Sequence, residues 1–197
     1  MIPTLDREQN IAILQYNVNK SQPRTHSILN DPTSLNYTML TLQEQYWSEH
    51  TESSLIHHSW TLIESRRLPN KAPRSAIYIN NSKLSSNAFQ IIDIPLNDIT
   101  AVTINTSNSP KPSLIINIYN PQDFDLITPL ANYLQNNLDP DDYDCIIIVG
   151  DFNLHHPLWN PPEYEVHEEQ SDELVEMMMA HDLRTLIPTG TITVRIV

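Results

Sequence analysis

The sequence predicts an α/β sandwich, two mixed sheets packed face to face with helices on the outside. Three observations carry that expectation. Short apolar runs rich in β-branched residues recur along the chain, bounded by Gly, Pro or Asn, at the length of strands. Two later stretches set apolar residues at helical spacing, Leu130, Leu134 and Leu138, then Leu174, Val175, Met178 and Met179, as stripes that would cover a sheet. A length of 197 residues with 40% hydrophobic content suits one well-packed domain.

Met1 to Asn10 is polar and reads as a lead-in, with the domain from residue 11 to 197. Ile11 to Tyr16 is a first strand ending in Asn17-Val18-Asn19, and Arg24 to Asn30 a short helix stopped by Asp31-Pro32. Tyr37 to Leu42 is a buried strand that delivers Gln43-Glu44. Trp47 to His58 is polar; its histidines fit no zinc spacing and are expected at the surface. Ser59 to Ser65, Ser75 to Asn80, Phe89 to Ile94, Ala101 to Asn105 and Leu114 to Tyr119 read as further strands. Thr128-Pro129 looks like a helix start, a cap followed by proline at the first helical position. The last helix is expected from about Ser171 to His181, where the three consecutive methionines serve as core filler.

The stretch from Cys145 to Trp159 organises the rest. Its apolar run, stopped by Gly150, predicts a fully buried strand with Cys145 as a small buried hydrophobe. Asp151 and Asn153 follow at period two, which in an extended chain turns both side chains to one side. A carboxylate and an amide delivered together suit a hard divalent cation and a phosphate. They equally suit a turn in which both side chains cap the backbone.

Charge argues against a general nucleic-acid binder. Eleven basic residues against 24 acidic ones leave a formal net charge of −13, and no basic face is evident. Arg66, Arg67, Lys71 and Arg74 form the one basic cluster, a candidate phosphate contact or a solvated loop. A bound metal ion can neutralise a substrate phosphate locally, so hydrolysis stays open. The single cysteine cannot form an internal disulfide, which fits a reducing compartment. No apolar run is long enough to span a bilayer, and the start shows no secretory signal.

The string Gly150-Asp151-Phe152-Asn153 followed by His155-His156-Pro157-Leu158-Trp159 resembles the endonuclease/exonuclease/phosphatase superfamily. Within it, the chain is similar to the apurinic-endonuclease-like domain of non-LTR (LINE-type) retrotransposons. Asn17 in Tyr-Asn-Val-Asn, Glu44 in Leu-Gln-Glu and Tyr119 in Asn-Ile-Tyr-Asn-Pro match further motifs of that family. The resemblance implies a DNase I-like four-layer sandwich, two mixed β-sheets flanked by helices. It implies Mg²⁺- or Mn²⁺-dependent hydrolysis of DNA phosphodiester bonds, with Glu44 holding the metal and Asn17 nearby. Asp151 would orient or deprotonate the attacking water, Asn153 would position it, and Tyr119 would steady a phosphate oxygen. The partner it implies is DNA, with a reverse transcriptase in the intact element and a nuclear, intracellular setting. The family's closing Asp and Ser-Asp-His strings have no counterpart here, so the domain is expected to lack its last strands. An inactive remnant, or a non-catalytic binding module on the same scaffold, is therefore the alternative.

Overall fold

In a computed structural model, residues 11–67, 71–106, 109–163, 166 and 168–191 are described; the expected lead-in and residues 192–197 lie outside them. The chain forms two compact units, Met1–Tyr119 with Asp139–Asp151, and Asn120–Leu138 with Phe152–Val197. The first unit holds two mixed four-stranded sheets and is the expected α/β sandwich.

In the first sheet, β1 (Ile13–Asn17) runs parallel to β2 (Met39–Gln43), which pairs antiparallel with β6 (Ser75–Asn80), and β6 with β5 (Trp60–Glu64). In the second, β10 (Cys145–Asp151) runs parallel to β9 (Ser113–Tyr119), followed antiparallel by β8 (Ile99–Ile104) and β7 (Phe89–Ile92). Period-two alternation sorts side chains between two cores. Met39, Ile63, Ile77 and Ile79 of the first sheet meet Val102, Ile104 and Ile115 of the second, which joins the sheets face to face. The alternate residues Leu40, Leu42, Trp60, Ala76 and Tyr78 pack outward with Leu29 of α1 (Gln22–Asn30). Each fully buried side chain of this size contributes about 1.5–3 kcal/mol. Helix α1 begins two residues before the expected start because Ser21 caps it by accepting a hydrogen bond from the Arg24 N–H, with Pro23 in the first turn where no N–H is needed.

The polar Trp47–His58 segment contains a small hairpin, β3 (Trp47–Ser48) against β4 (Ser53–Ser54). Strand β10 differs from expectation: it is half-buried, and Cys145 is exposed. Its apolar run reads as a central strand, but β10 has β9 as its single partner and forms the sheet edge. Gly150 is required there. Its φ is +145°, and an added Cβ would stand 1.9 Å from the Ile118 carbonyl oxygen.

The second unit contains α2 (Ile127–Asn137) and α3 (Glu169–Ala180), which pack against each other. Helix α2 starts before Thr128 because the Asp125 carboxylate accepts from the Ile127 and Thr128 N–H groups. Pro129 then sits in a first turn that does not need its N–H. Leu130 and Leu134 are buried as expected, while Leu138 is the half-buried C-cap. In α3 the buried face is Ser171, Leu174 and Met177. Met179 is exposed instead, because five residues from Leu174 at 100° each carries it to the far side of the helix.

Candidate active site

Parallel pairing puts the C-terminal ends of β1, β2, β9 and β10 at one mouth of the first unit. Four of the five candidate residues, Asn17, Glu44, Tyr119 and Asp151, come to that mouth. The Asn17 amide donates to Asp151 Oδ2 at 2.6 Å, while its own Oδ1 accepts from the Asn19 N–H at 2.8 Å. Asn17 therefore orients a carboxylate and shapes the following turn at once. The Tyr119 hydroxyl donates to Glu44. Burial, then the Glu44 charge and that hydrogen bond, push the Tyr119 phenol up to about 12, with Asp151 adding to the rise and Arg74 opposing it. Tyr119 is thus a hydrogen-bond donor throughout the physiological range.

Glu44 has a second partner, Lys20, whose Nζ stands 3.3 Å from Oε1. The Glu44 side chain is 11% exposed and that of Lys20 67%. The contact comes from a clasp in which the Lys20 N–H donates to the Glu44 carbonyl at 2.6 Å. Asn19, Lys20 and Glu44 all adopt left-handed backbone, with φ of 51°, 54° and 49°. Each such residue without glycine's freedom costs on the order of 1 kcal/mol. A mostly exposed ion pair offsets at most about 1 kcal/mol, so the clasp is not explained by this pair alone.

Sequence reasoning missed what supports the mouth from below. The Asp98 carboxylate accepts from Arg74 Nε and Nη2 at 3.1 and 2.6 Å and from the Arg74 N–H at 3.0 Å. The guanidinium so fixed lies 4.8 Å from the centre of the Tyr119 ring, a cation–π contact. Deeper still, the Asn117 amide donates to the Leu42 and Ala76 carbonyls, both at 3.0 Å, and accepts from Gln43. This bond set pins β9 to β2 and β6, which sets Tyr119 against Glu44. Asn117 was visible in the sequence within Asn-Ile-Tyr-Asn-Pro, but a fully buried amide reads as an ordinary strand residue until its partners are known.

The basic cluster does not present a row of unpaired cations. Arg67 pairs with Glu52 at 3.2 Å and lies 4.9 Å over the Trp47 ring, and Arg74 is held by Asp98. Asn153 does not continue the strand: its φ is 50°, so the period-two argument fails two residues after Asp151. It belongs to the second unit, where its amide donates to the Asn120 carbonyl at 2.7 Å. His156 there stacks on Trp159 and faces Asp172 at 3.7 Å.

Among the described residues no group of three or more His, Cys, Asp or Glu gathers as a metal site. The donors at the mouth are nevertheless of one kind, the Glu44 and Asp151 carboxylates and the Asn17 amide. Magnesium binds through one or two carboxylates with water and phosphate completing its shell, so this donor set fits Mg²⁺ or Mn²⁺ and is wrong for zinc or copper. No helix among the described residues is long and apolar enough to cross a membrane.

A family model described as endonuclease-reverse transcriptase matches residues 113–196, which include Tyr119, Asp151 and Asn153. No curated protein matches the sequence significantly. Among solved structures, the endonuclease domain of TRAS1, a telomere-specific non-LTR retrotransposon, is 15% identical with a TM-score of 0.69, covering 92% of this chain and 75% of that one. The AP endonuclease LMAP from Leishmania major is 11% identical with a TM-score of 0.61, over 91% of this chain and 72% of that one. An AP endonuclease from Archaeoglobus fulgidus is 15% identical with a TM-score of 0.54, over 87% and 70%. At such identities the likeness is one of fold, a DNase I-like α/β sandwich of two mixed sheets.

Proposed function

We propose that the chain keeps the cation- and phosphate-facing half of a divalent-metal-dependent phosphodiester hydrolase, the DNA endonuclease of a retrotransposon, and that by itself it does not turn over. The observation that carries this reading is the state of Glu44: its carboxylate is ion-paired with Lys20 and hydrogen-bonded by Tyr119, and no third acid joins it among the described residues.

Each group has a part in this account. Glu44, with Asn17 nearby, would hold Mg²⁺ or Mn²⁺, which when bound supplies Lewis-acid stabilisation of charge on a phosphate oxygen. Asn17 holds the Asp151 carboxylate in place as an acceptor for a water proton. Tyr119 offers a neutral hydroxyl to a phosphate oxygen, kept on station by Arg74. Asn153 is proposed to position the water.

Full catalysis is the second reading. The Asn17–Asp151 bond favours it, since a pre-oriented carboxylate is what a water-activating base needs. The family match and the likeness to the TRAS1 endonuclease domain support DNA as the substrate for either reading. Nicking of supercoiled plasmid in Mg²⁺ or Mn²⁺ separates them. The expected result is no nicking by folded protein that binds Mn²⁺ through Glu44. Nicking abolished by both Glu44→Ala and Asp151→Ala would establish the second reading.

A further inference from the structure

We infer that Lys20 is an exchangeable cation of this site: it neutralises Glu44 until a divalent ion takes that carboxylate, and it then binds the phosphate of a nucleic-acid strand. The inference rests on the proposed cation site at Glu44 and goes beyond it by assigning a role to a side chain outside the family's motif set.

Two consecutive left-handed residues, Asn19 and Lys20, are locked by the Lys20 N–H on the Glu44 carbonyl, which fixes where the lysine stem begins. Its ammonium ends 3.3 Å from a carboxylate that is itself almost buried, yet two-thirds of the Lys20 side chain remains in water. A strongly hydrated point charge on a flexible four-carbon stem leaves such a contact easily. A divalent ion on Glu44 repels the ammonium as a like charge and removes its anion. With Arg74 committed to Asp98, Lys20 is the cation poised beside Glu44 that can turn to an incoming phosphate. In a chain of net charge −13, one such contact matters for holding DNA.

The role predicts effects of opposite sign from one substitution. Lys20 competes with the metal and cooperates with the phosphate. Mn²⁺ affinity, read from the free-ion EPR signal, and affinity for a short fluorescent DNA duplex in saturating Mn²⁺ are therefore measured for the full chain, Lys20→Met, Lys20→Arg and Glu44→Gln. Lys20→Met should bind Mn²⁺ about threefold more tightly. It should bind the duplex about three- to tenfold more weakly, with the slope of log affinity against log salt shallower by about 1. Lys20→Arg should retain duplex binding. Weakening of both affinities would make Lys20 a structural clasp and overturn the inference. Tighter Mn²⁺ binding with unchanged duplex binding would make it a counter-ion alone and overturn it too. Mn²⁺ binding that Glu44→Gln leaves untouched would instead sink the parent reading of the site.

Discussion

Asp98 shows how much of the mouth depends on one side chain away from the proposed chemistry. It sits at φ 60°, almost buried, and its carboxylate fixes Arg74 through the backbone N–H and the guanidinium. Asn accepts the same backbone conformation and keeps an acceptor oxygen, so Asp98→Asn removes chiefly the charge. Urea unfolding should show a loss of about 1–2 kcal/mol for Asp98→Asn and about 3 kcal/mol for Asp98→Ala, which also strains the backbone and removes the carboxylate that accepts from Arg74. Tyr119 predicts a pH effect. Its phenol ionises near 10 when unfolded and is pushed up to about 12 when folded, so both states are protonated below pH 10 and its contribution is intact there. Above pH 10 the unfolded phenol ionises first, and stability should fall as pH rises from 10 towards 12. The fall should be shallower in Tyr119→Phe, and equal slopes in the two proteins would contradict the assignment.

At the scale of elements, Gly150 is where β10 and β9 meet without room for a side chain. Gly150→Ala places a Cβ against the Ile118 carbonyl in a backbone region closed to alanine, and should cost more than about 2 kcal/mol. The shift of the urea midpoint measures it. The sequence legibly marked this strand by its apolar run and its stop at glycine, and marked β2, β6 and β9 as well. It did not mark whether a strand is central or at an edge, because apolar runs report propensity and burial together, while β10 is half-buried through having one neighbour. Helix starts moved for a related reason. Capping by Asp125 and Ser21 depends on where the chain arrives, and Thr128-Pro129 is an equally good local signal. The candidate residues that come together lie at strand ends, Asn17, Tyr119 and Asp151 as last residues and Glu44 one residue past β2. Sequence pattern stops being a guide at Asn153, where one left-handed residue breaks the alternation, and at Lys20 and Asp98, which reach the mouth from loops.

For the first unit as a whole, the two sheets are joined by an apolar layer and, beneath the mouth, by a polar seam. Gln15 bonds Gln43, Gln43 bonds Asn117, Ser75 donates to the Asn117 carbonyl, and Thr100 donates to the Ser75 carbonyl. Cutting the seam at Asn117→Leu strands the Leu42 and Ala76 carbonyls without their donor, and should cost about 2–4 kcal/mol by urea unfolding. It should also weaken Mn²⁺ binding, since Glu44 and Tyr119 are then set by separate sheets. On the proposed function, the surplus of acidic residues would make DNA binding depend on a cation at the mouth. The measurement that tests the central claim most directly combines two readings on one folded preparation: Mn²⁺ binding by EPR and nicking of supercoiled plasmid, for wild type, Glu44→Gln and Asp151→Asn. The account predicts Mn²⁺ binding that Glu44→Gln weakens at least about tenfold, with no nicking by any of the three. Mn²⁺ binding indifferent to Glu44, or wild-type nicking that both substitutions abolish, would contradict it.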